Sequence, residues 1–152
     1  KCKGHHLILD ANRNIFYKVK NVRIEEITRT SLTVGKFTTV FTCDAYEYLR
    51  SGMYERTAED VKYNPYSTAK PVYKITGNGS CTLTVNGKTM KATVGQNLTI
   101  DTERMLAYRE DGTMMNTSVT GDYEDLYLQP GENEISITSG FGLSIIPNWR
   151  CV

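Results

Sequence analysis

Two adjacent histidines, His5 and His6, are the side chains best suited to acid–base or metal chemistry, and the chain has no others. A catalytic histidine needs a positioned partner, and a metal site needs several converging donors. Neighbouring residues on a strand point to opposite faces, so this pair would not bind one ion together. The pattern predicts surface histidines near a chain end, with no catalytic residue and no metal ligand.

Carboxylates are the second group, at Asp10, Asp44, Asp101, Asp122, Glu124 and Asp125. Two facing carboxyl groups can hydrolyse a glycosidic bond, so a cell-wall hydrolase fragment is one alternative function. However, Asp101 and Asp111 occupy turn-like positions, where an aspartate bonds its own backbone. The sequence therefore favours a protein that is not an enzyme.

Aromatic side chains form the third group, at Trp149, Tyr108, Tyr123 and Tyr127. Such rings can stack on a sugar or contact another protein, which gives a carbohydrate-binding module as another alternative function. An indole also buries a large apolar area, so the sequence favours a core or sheet-edge position for Trp149.

No cofactor is predicted from the cysteines or the glycines. Cys2, Cys43, Cys81 and Cys151 are widely spaced and lack the close pairs of zinc sites. We expect reduced thiols, with Cys43 and Cys81 packed in strands. The Gly-rich run 77–80 precedes no helix that would present amide groups to a phosphate, so it is interpreted as a strand connection.

The charge balance argues against nucleic-acid and membrane partners. The net charge is +1, from 18 Lys and Arg against 17 Asp and Glu, so the chain lacks the basic surplus that releases counterions from nucleic acid. No apolar run approaches the roughly 20 residues that span a bilayer. The chain begins Lys-Cys-Lys-Gly without Met or a signal peptide, which we interpret as truncation.

The elements that must position these groups are mostly strands. In the first segment, residues 1–50, runs at 14–27 and 36–43 are rich in β-branched and aromatic residues and predict a long antiparallel hairpin. Phe37, Phe41 and Cys43 share one face with Thr39 by the two-residue period. Neither face is strongly charged, so we expect both to be covered.

Residues 51–70 are predicted to be an interdomain linker, because breakers recur and the periodicity weakens. At most one or two helical turns are expected over 55–62, with Thr57 as the cap and Asp60 three residues later.

Residues 71–152 change character, with short strand-like runs between frequent turns. The predicted strands are 72–76, 81–85, 88–92, 97–101, 104–108, 123–128, 133–138 and 143–152. Asn86-Gly87 is the strongest hairpin signal, because both turn positions need positive φ. In the 133–138 run, Ile135 and Ile137 are expected to point inward. The pattern predicts an antiparallel β-sandwich.

The second segment resembles the C-terminal domain of the siphophage distal tail protein family. The matching stretches, in the family's order, are 71–79, 83–88, 98–103 followed by Tyr108, 121–123, 128–137 and 145–150. The runs 14–20 and 41–48 resemble the end of that family's N-terminal domain. There Ala45 stands in place of the Pro of a Cys-Asp-Pro-Tyr-like motif.

The resemblance implies a structural component of the phage tail tip or baseplate. Family members form hexameric rings through an N-terminal belt domain, and their C-terminal domains are galectin-like, jelly-roll sandwiches that project outward. The ring is a hub between the tail tube and the tail-tip and receptor-binding proteins. The implied location is the virion, with assembly in the host cytoplasm. Residues 1–50 would then be the last part of the belt domain and 71–152 the galectin-like domain.

Overall fold

A computed structural model describes residues 6–152. The chain is mainly β: strands take up 54%, and no helix of the described residues reaches seven residues. Four short 3₁₀ helices are η1 (Arg50–Met53), η2 (Glu59–Val61), η3 (Asn116–Ser118) and η4 (Glu124–Leu126). All paired strands of the described residues run antiparallel. This confirms the predicted mainly β class and is consistent with a β-sandwich.

Thirteen strands follow in chain order. The first segment contains β1 (His6–Leu7), β2 (Ile15–Arg29), β3 (Gly35–Cys43) and β4 (Glu47–Leu49). The remainder contains β5 (Tyr63–Asn64), β6 (Val72–Val85), β7 (Lys88–Asp101), β8 (Leu106–Tyr108), β9 (Val119–Thr120), β10 (Gly131–Glu132), β11 (Ile135–Ile137), β12 (Gly142–Ile146) and β13 (Arg150–Cys151).

The predicted hairpin of the first segment is present as β2 and β3, which we call the arm. Strand β2 also pairs with β1 and β4 near its start, and β4 pairs with β13, which gives a five-stranded sheet. The last strand of the chain thus joins the sheet of the first segment.

A second long hairpin, β6–β7, organises residues 71–152. Its strands pair without a break from Val72↔Asp101 to Val85↔Lys88 around the predicted Asn86-Gly87 turn. One half is flanked by β12 and β8, and the other half by β11 and β9. Both halves contribute to one hydrophobic core, which is the arrangement expected of a sandwich.

The interpretation of the Gly-rich run 77–80 as a connection between two strands is wrong, because the run lies inside strand β6. Strand β6 runs through it, with Gly77 at φ 144° and Gly79 at φ 113°, opposite Gln96 at φ 82°. Glycine tolerates these positive angles, so the strand changes direction without ending. The predicted separate runs 88–92 and 97–101 are likewise parts of a single strand, β7, in which Gln96 is the residue with positive φ.

Buried core residues occupy alternate positions along both strands of the second hairpin. The core includes Tyr73, Ile75, Cys81, Leu83, Val85, Met90, Ala92, Val94, Leu98 and Ile100, all buried. Ile135 is buried and Ile137 packs against the same cluster, so their inward orientation is confirmed. This parity continues through the glycines, so the bend turns the hairpin without moving its apolar side outward.

The expected strand at 123–128 is wrong in type. The 3₁₀ helix η4 lies there, because Asp122 Oδ1 accepts a hydrogen bond from the Glu124 amide (3.1 Å) and the Leu126 amide bonds to the Tyr123 carbonyl (3.3 Å). An aspartate that binds the backbone two residues later starts a turn instead of a strand.

Residues 51–70, predicted as a linker, are folded against the rest of the chain. Val61 and Ala69 belong to the core, and Ala69 bridges Leu128. The predicted pair is in contact: the Thr57 amide donates to Asp60 Oδ2 (3.2 Å), and the Asp60 amide donates to Thr57 Oγ1 (3.4 Å). The N-cap of the one-turn helix η2 is Ala58, however, so the assignment of Thr57 as the cap is wrong by one residue. Packing is continuous across residues 50 and 70, and the division there stays a prediction.

Candidate interaction surface

The arm stands apart from the core. Every residue from 20 to 38 is exposed, although this stretch includes most of β2 and the start of β3. Soluble proteins bury at least one face of most sheets, so a hairpin of this length with no cover from its own chain is unusual.

Two irregularities in β2 decide which side chains share a face of the arm. The register slips by one residue between Val19 and Asn21 and again between Ile24 and Ile27. Strict alternation would put Val22 and Ile24 on one face and Val19 and Ile27 on the other. Each β-bulge adds one residue to β2, so all four apolar residues lie on the same face.

The partners across the ladder complete this apolar face. Val22 lies opposite Phe41, and Ile27 lies opposite Phe37. The exposed fractions are 46% for Val22, 58% for Ile24, 76% for Ile27, 70% for Phe37 and 45% for Phe41. The apolar face of the arm, defined by these five side chains, is therefore a continuous exposed patch of the kind that marks an interaction site.

The opposite face of the arm is polar. Arg23 Nη2 pairs with Glu25 Oε1 at 2.5 Å, and Thr28 lies opposite Lys36. The expectation of two weakly charged, covered faces is therefore wrong within this chain: one face is charged, and neither is covered. The sequence pattern missed the separation because the two extra residues of β2 break the period of two.

The arm also has exposed sheet edges. Within residues 6–152, β3 pairs only with β2, and β2 pairs beyond Lys18 only with β3. Unpaired strand edges offer backbone donors and acceptors to another strand, and natural proteins usually block them.

Side chains at the base of the arm fix it to the second segment. Lys18 forms an ion pair with Glu103, and its ammonium lies 4.1 Å from the centre of the Tyr48 ring. The Tyr48 ring stacks on Phe16 with centroids 5.4 Å apart, and both are buried. The arm thus begins from a rigid aromatic base.

Asp44 connects this base to the arm. Its Oδ2 accepts a hydrogen bond from the Tyr48 hydroxyl (2.8 Å), and its Oδ1 pairs with Lys20 Nζ (3.0 Å). Burial acts to raise the pKa of Asp44, but the Tyr48 and Lys20 hydrogen bonds outweigh it and hold the pKa below its ordinary value. The carboxylate is thus the stable form at neutral pH.

Trp149 is not an exposed platform for stacking. Only 6% of its surface is exposed, and its ring lies 6.2 Å from that of Tyr66. The backbone of Trp149 approaches Gly52 so closely that a Cβ there would lie 2.4 Å from the Trp149 nitrogen. The Trp149 carbonyl accepts the Leu49 amide (2.9 Å), so this residue joins the first segment to the core. A core position is the one that the sequence favoured for Trp149.

The three tyrosines are half-buried and lie at different places. Tyr108 pairs with Thr99 in β8, and Tyr123 packs against the core, where burial raises its pKa. Tyr127 follows η4 and lines a cavity of about 250 Å³ together with Asn86, Lys88, Glu124, Asp125 and Gln129. The structure thus places Tyr127 in a polar pocket, and the linings of that pocket and of the groove described next do not include Tyr108 or Tyr123.

A second groove of about 300 Å³ lies on the outer face of β6 and β7. Its polar lining is Ser80, Thr82, Lys91, Thr93, Thr117, Ser118 and Thr120. No aromatic side chain lines it, so it lacks the stacking surface that the carbohydrate alternative requires.

The histidines and the turn aspartates do not converge on one site among residues 6–152. His6 lies against Phe16 with ring centroids 4.4 Å apart, and His5 lies outside the described residues. Asp101 Oδ1 accepts the amides of Glu103 and Arg104 (3.1 and 3.0 Å), and Asp111 Oδ1 accepts that of Thr113 (2.8 Å), so both act in turns as predicted. Among residues 6–152, no three His, Cys, Asp or Glu side chains group to hold a metal ion.

Three of the cysteines are free thiols. Cys43 and Cys151 are half-buried, and Cys81 is buried in the core, where burial raises its pKa. Cys2 lies outside the described residues. Cys81 thus packs in the core as a small apolar side chain, as the strand pattern predicted.

Comparison of the chain with protein-family models, with curated proteins and with solved structures finds no match. Among the helices of residues 6–152, none has the length and apolar character needed to cross a membrane.

Two features of the surface escaped the sequence analysis. The bulges of β2 have no signal in a single sequence beyond the irregular 3-2-3 spacing of Val19, Val22, Ile24 and Ile27. The pocket at Tyr127 combines a turn with residues about forty positions later along the chain, and only tertiary packing brings such segments together.

Proposed function

We propose that this chain is part of a phage tail-tip hub protein of the distal tail type, in which the apolar face of the arm packs against a second copy of the chain. One observation carries the proposal: five apolar side chains of the arm lie together, exposed, on one face. A ring of identical subunits would cover such a face by repeating the same contact around a closed symmetry.

Further support comes from the architecture and the charge. The bent β6–β7 hairpin with a shared core agrees with a sandwich, and the galectin-like form of that sandwich is part of the proposal. A net charge of +1 suits a ring through which DNA passes without being held. The proposed partners are the tail tube, tail-tip and receptor-binding proteins. The full-length protein is proposed to form a hexamer and to be located in the virion.

The arm suits a contact between subunits for a physical reason. Phe37 and Phe41 supply large rigid rings, and aromatic residues are enriched at the centres of protein interfaces. The exposed edges of β2 and β3 add backbone groups that a neighbouring strand can pair with.

The test is the state of association of the chain and of two matched variants. We expect self-association in light scattering, and six-fold rings of the full-length protein in electron microscopy. Phe37→Lys, on the apolar face, should weaken association at least tenfold, because it places a charge in the contact. Thr38→Lys, one residue away on the polar face, should leave association unchanged.

Two outcomes would contradict the proposal. A full-length protein that stays monomeric at several hundred micromolar would remove the hub function. Equal effects of Phe37→Lys and Thr38→Lys would show that the apolar face is not the contact. Circular dichroism spectra of both variants must match the parent, which separates lost association from lost folding.

A further inference from the structure

The chain contains two Asn-Gly pairs, Asn78-Gly79 within β6 and Asn86-Gly87 at the turn between β6 and β7. This dipeptide is especially prone to deamidation, because glycine has no side chain to keep its backbone nitrogen away from the side chain of the preceding asparagine. The chemistry of the dipeptide is the same at both places. The fold alone therefore decides which of the two asparagines reacts faster.

The side chain of Asn86 is held at both ends. Its Nδ2 donates to Asn133 Oδ1 (2.9 Å), and its Oδ1 accepts the Glu134 amide (2.9 Å). Asn133 is only 4% exposed and also donates to the Gln129 carbonyl (2.8 Å), so it is fixed in its turn. Asn86 must break both of its hydrogen bonds before its carbonyl carbon can rotate towards the Gly87 nitrogen.

The side chain of Asn78 is exposed and makes no hydrogen bond within residues 6–152. It lies in the bend of β6, between Gly77 at φ 144° and Gly79 at φ 113°. A Cβ at Gly79 would have no neighbour within 4 Å, so the space on that side of the backbone is open. Asn78 is therefore free to rotate, unlike Asn86.

Around the bend, β6 and β7 pair only with each other in the described part of the chain. On β6, the pairing with β12 ends at Thr76 and the pairing with β11 begins at Leu83. On β7, the pairing with β9 ends at Ala92 and the pairing with β8 begins at Thr99. Local opening is easiest where few neighbours hold a strand, so the Gly79 nitrogen is freed here more easily than in a strand that is paired on both sides.

A guanidinium group lies beside Asn78. Asn78 pairs with Gly95 across the ladder, and Arg109 Nη2 occupies the place of a Gly95 side chain, 2.7 Å from where its Cβ would be. Opposite residues of an antiparallel pair share a face, with Cβ atoms about 4.5–5.5 Å apart. The side chain of Asn78 and the guanidinium of Arg109 are therefore neighbours on one face of the hairpin.

This guanidinium is not neutralised within residues 6–152. It forms no ion pair and no side-chain hydrogen bond there, and its Nε is shielded from water without an acceptor. Hydrogen bonds from Thr113, and to a smaller extent the charge of Arg109, lower the pKa of Asp111, but the two charged side chains are not in ion-pair contact. A carboxylate at position 78 would give Arg109 Nη2 an acceptor.

We infer that Asn78 deamidates spontaneously in the folded chain, and that Arg109 pairs with the carboxylate that results. The Gly79 nitrogen attacks the side-chain carbonyl carbon of Asn78. A C–N bond forms, and ammonia leaves with the proton of the Gly79 nitrogen. Solvent water then opens the cyclic imide at either carbonyl, which leaves aspartate or isoaspartate at position 78. Each event replaces a neutral amide with a carboxylate, so the net charge falls from +1 to 0.

Peptide mapping by mass spectrometry, after incubation in mildly alkaline buffer, follows deamidation at both Asn-Gly pairs of the same chain. In the folded chain, Asn78 should react roughly tenfold faster than Asn86, because only Asn86 must first break two hydrogen bonds. In concentrated urea, which removes the fold, the two asparagines should react at similar rates. Isoaspartate should accumulate at position 78 together with aspartate.

The pairing with Arg109 is tested through the product of the reaction. Asn78→Asp should raise the thermal midpoint of the chain by about 1–3 °C, the size expected of an exposed ion pair. The same substitution should have no effect in an Arg109→Gln background. High salt should remove the gain, since it screens an exposed pair of charges.

Equal rates at the two asparagines of the folded chain, or a faster reaction of Asn86, would overturn the inference. So would an unmodified Asn78 in the folded chain after the chain in urea has reacted. A gain from Asn78→Asp that is absent in the parent, or that persists in the Arg109→Gln background, would overturn the part assigned to Arg109. None of these results depends on the arm or on self-association, so this inference and the proposed function fail separately.

Discussion

The two long antiparallel hairpins of this chain differ in how much of each is buried. The arm, β2–β3, leaves residues 20–38 exposed, whereas β6–β7 places ten side chains in one core. Both hairpins carry apolar residues on one face. The hairpins differ in the kind of backbone irregularity that each contains. Two β-bulges keep the apolar side chains of the arm on one face, whereas glycines with positive φ bend β6.

The comparison shows how backbone irregularities decide what a hairpin does. A bulge corrects the side-chain phase, and it leaves the ladder long and extended. A glycine at positive φ changes direction and lets both halves of the hairpin share one core. The bulges leave an exposed apolar face, and the glycines allow a shared core.

The largest expected effect is the difference in stability lost when an apolar side chain is shortened in the buried hairpin β6–β7 and in the exposed arm. Leu83→Ala in β6 should destabilise the chain by about 2–5 kcal/mol, because it opens a cavity in a filled core. Ile24→Ala in the arm, at a side chain that is 58% exposed, should change stability by less than about 0.5 kcal/mol.

Urea unfolding of the two variants, measured at low protein concentration, gives both values. Similar losses at the two positions would mean that the arm is covered within a single chain. The comparison between the hairpins would then no longer hold.

The bend of β6 gives the next largest effect. Gly77→Ala should cost about 1–3 kcal/mol, because its φ of 144° is strained for alanine. The new Cβ would also lie 2.5 Å from the Phe141 ring. The matched control is Gly35→Ala in the arm, where the nearest atom is 3.7 Å away, and it should be neutral or slightly stabilising.

Thermal unfolding by circular dichroism measures this pair. A Gly77→Ala variant as stable as Gly35→Ala would show that the second hairpin does not depend on its glycine to turn.

The smallest effect concerns the acid sensitivity of the base of the arm. The pKa of Asp44 lies below its ordinary value of 3.8, so its contribution to stability is complete above that pH. The contribution falls as the pH drops through the lowered pKa, because the unfolded chain then binds the proton more tightly. Asp44→Asn should therefore flatten the acid side of the stability curve.

The comparison for Asp44 is Glu55, whose pKa is lowered by hydrogen bonds from Lys74 and Ser144. Glu55→Gln should flatten the same side less, since the Glu55 side chain is 49% exposed and screened by water. Urea midpoints between pH 2.5 and 6 measure both. A steeper acid dependence in Asp44→Asn would reverse the assigned sign.

The sequence by itself determined the strand class, the arm, the Asn86-Gly87 turn and the inward side of β11, because all of these follow from local periodicity and turn chemistry. It also determined the turn function of Asp101 and Asp111, since each binds amides within three residues.

Tertiary structure alone decided the rest. It made the run Gly77–Gly79 a bend instead of a break, turned 123–128 into a 3₁₀ helix and packed residues 51–70 into the core. It also chose Tyr127 among the predicted aromatic residues. The physical reason is the same throughout. Strand periodicity shows which side chains share a face, whereas the burial of that face and the bending of a strand depend on contacts between residues far apart in the chain.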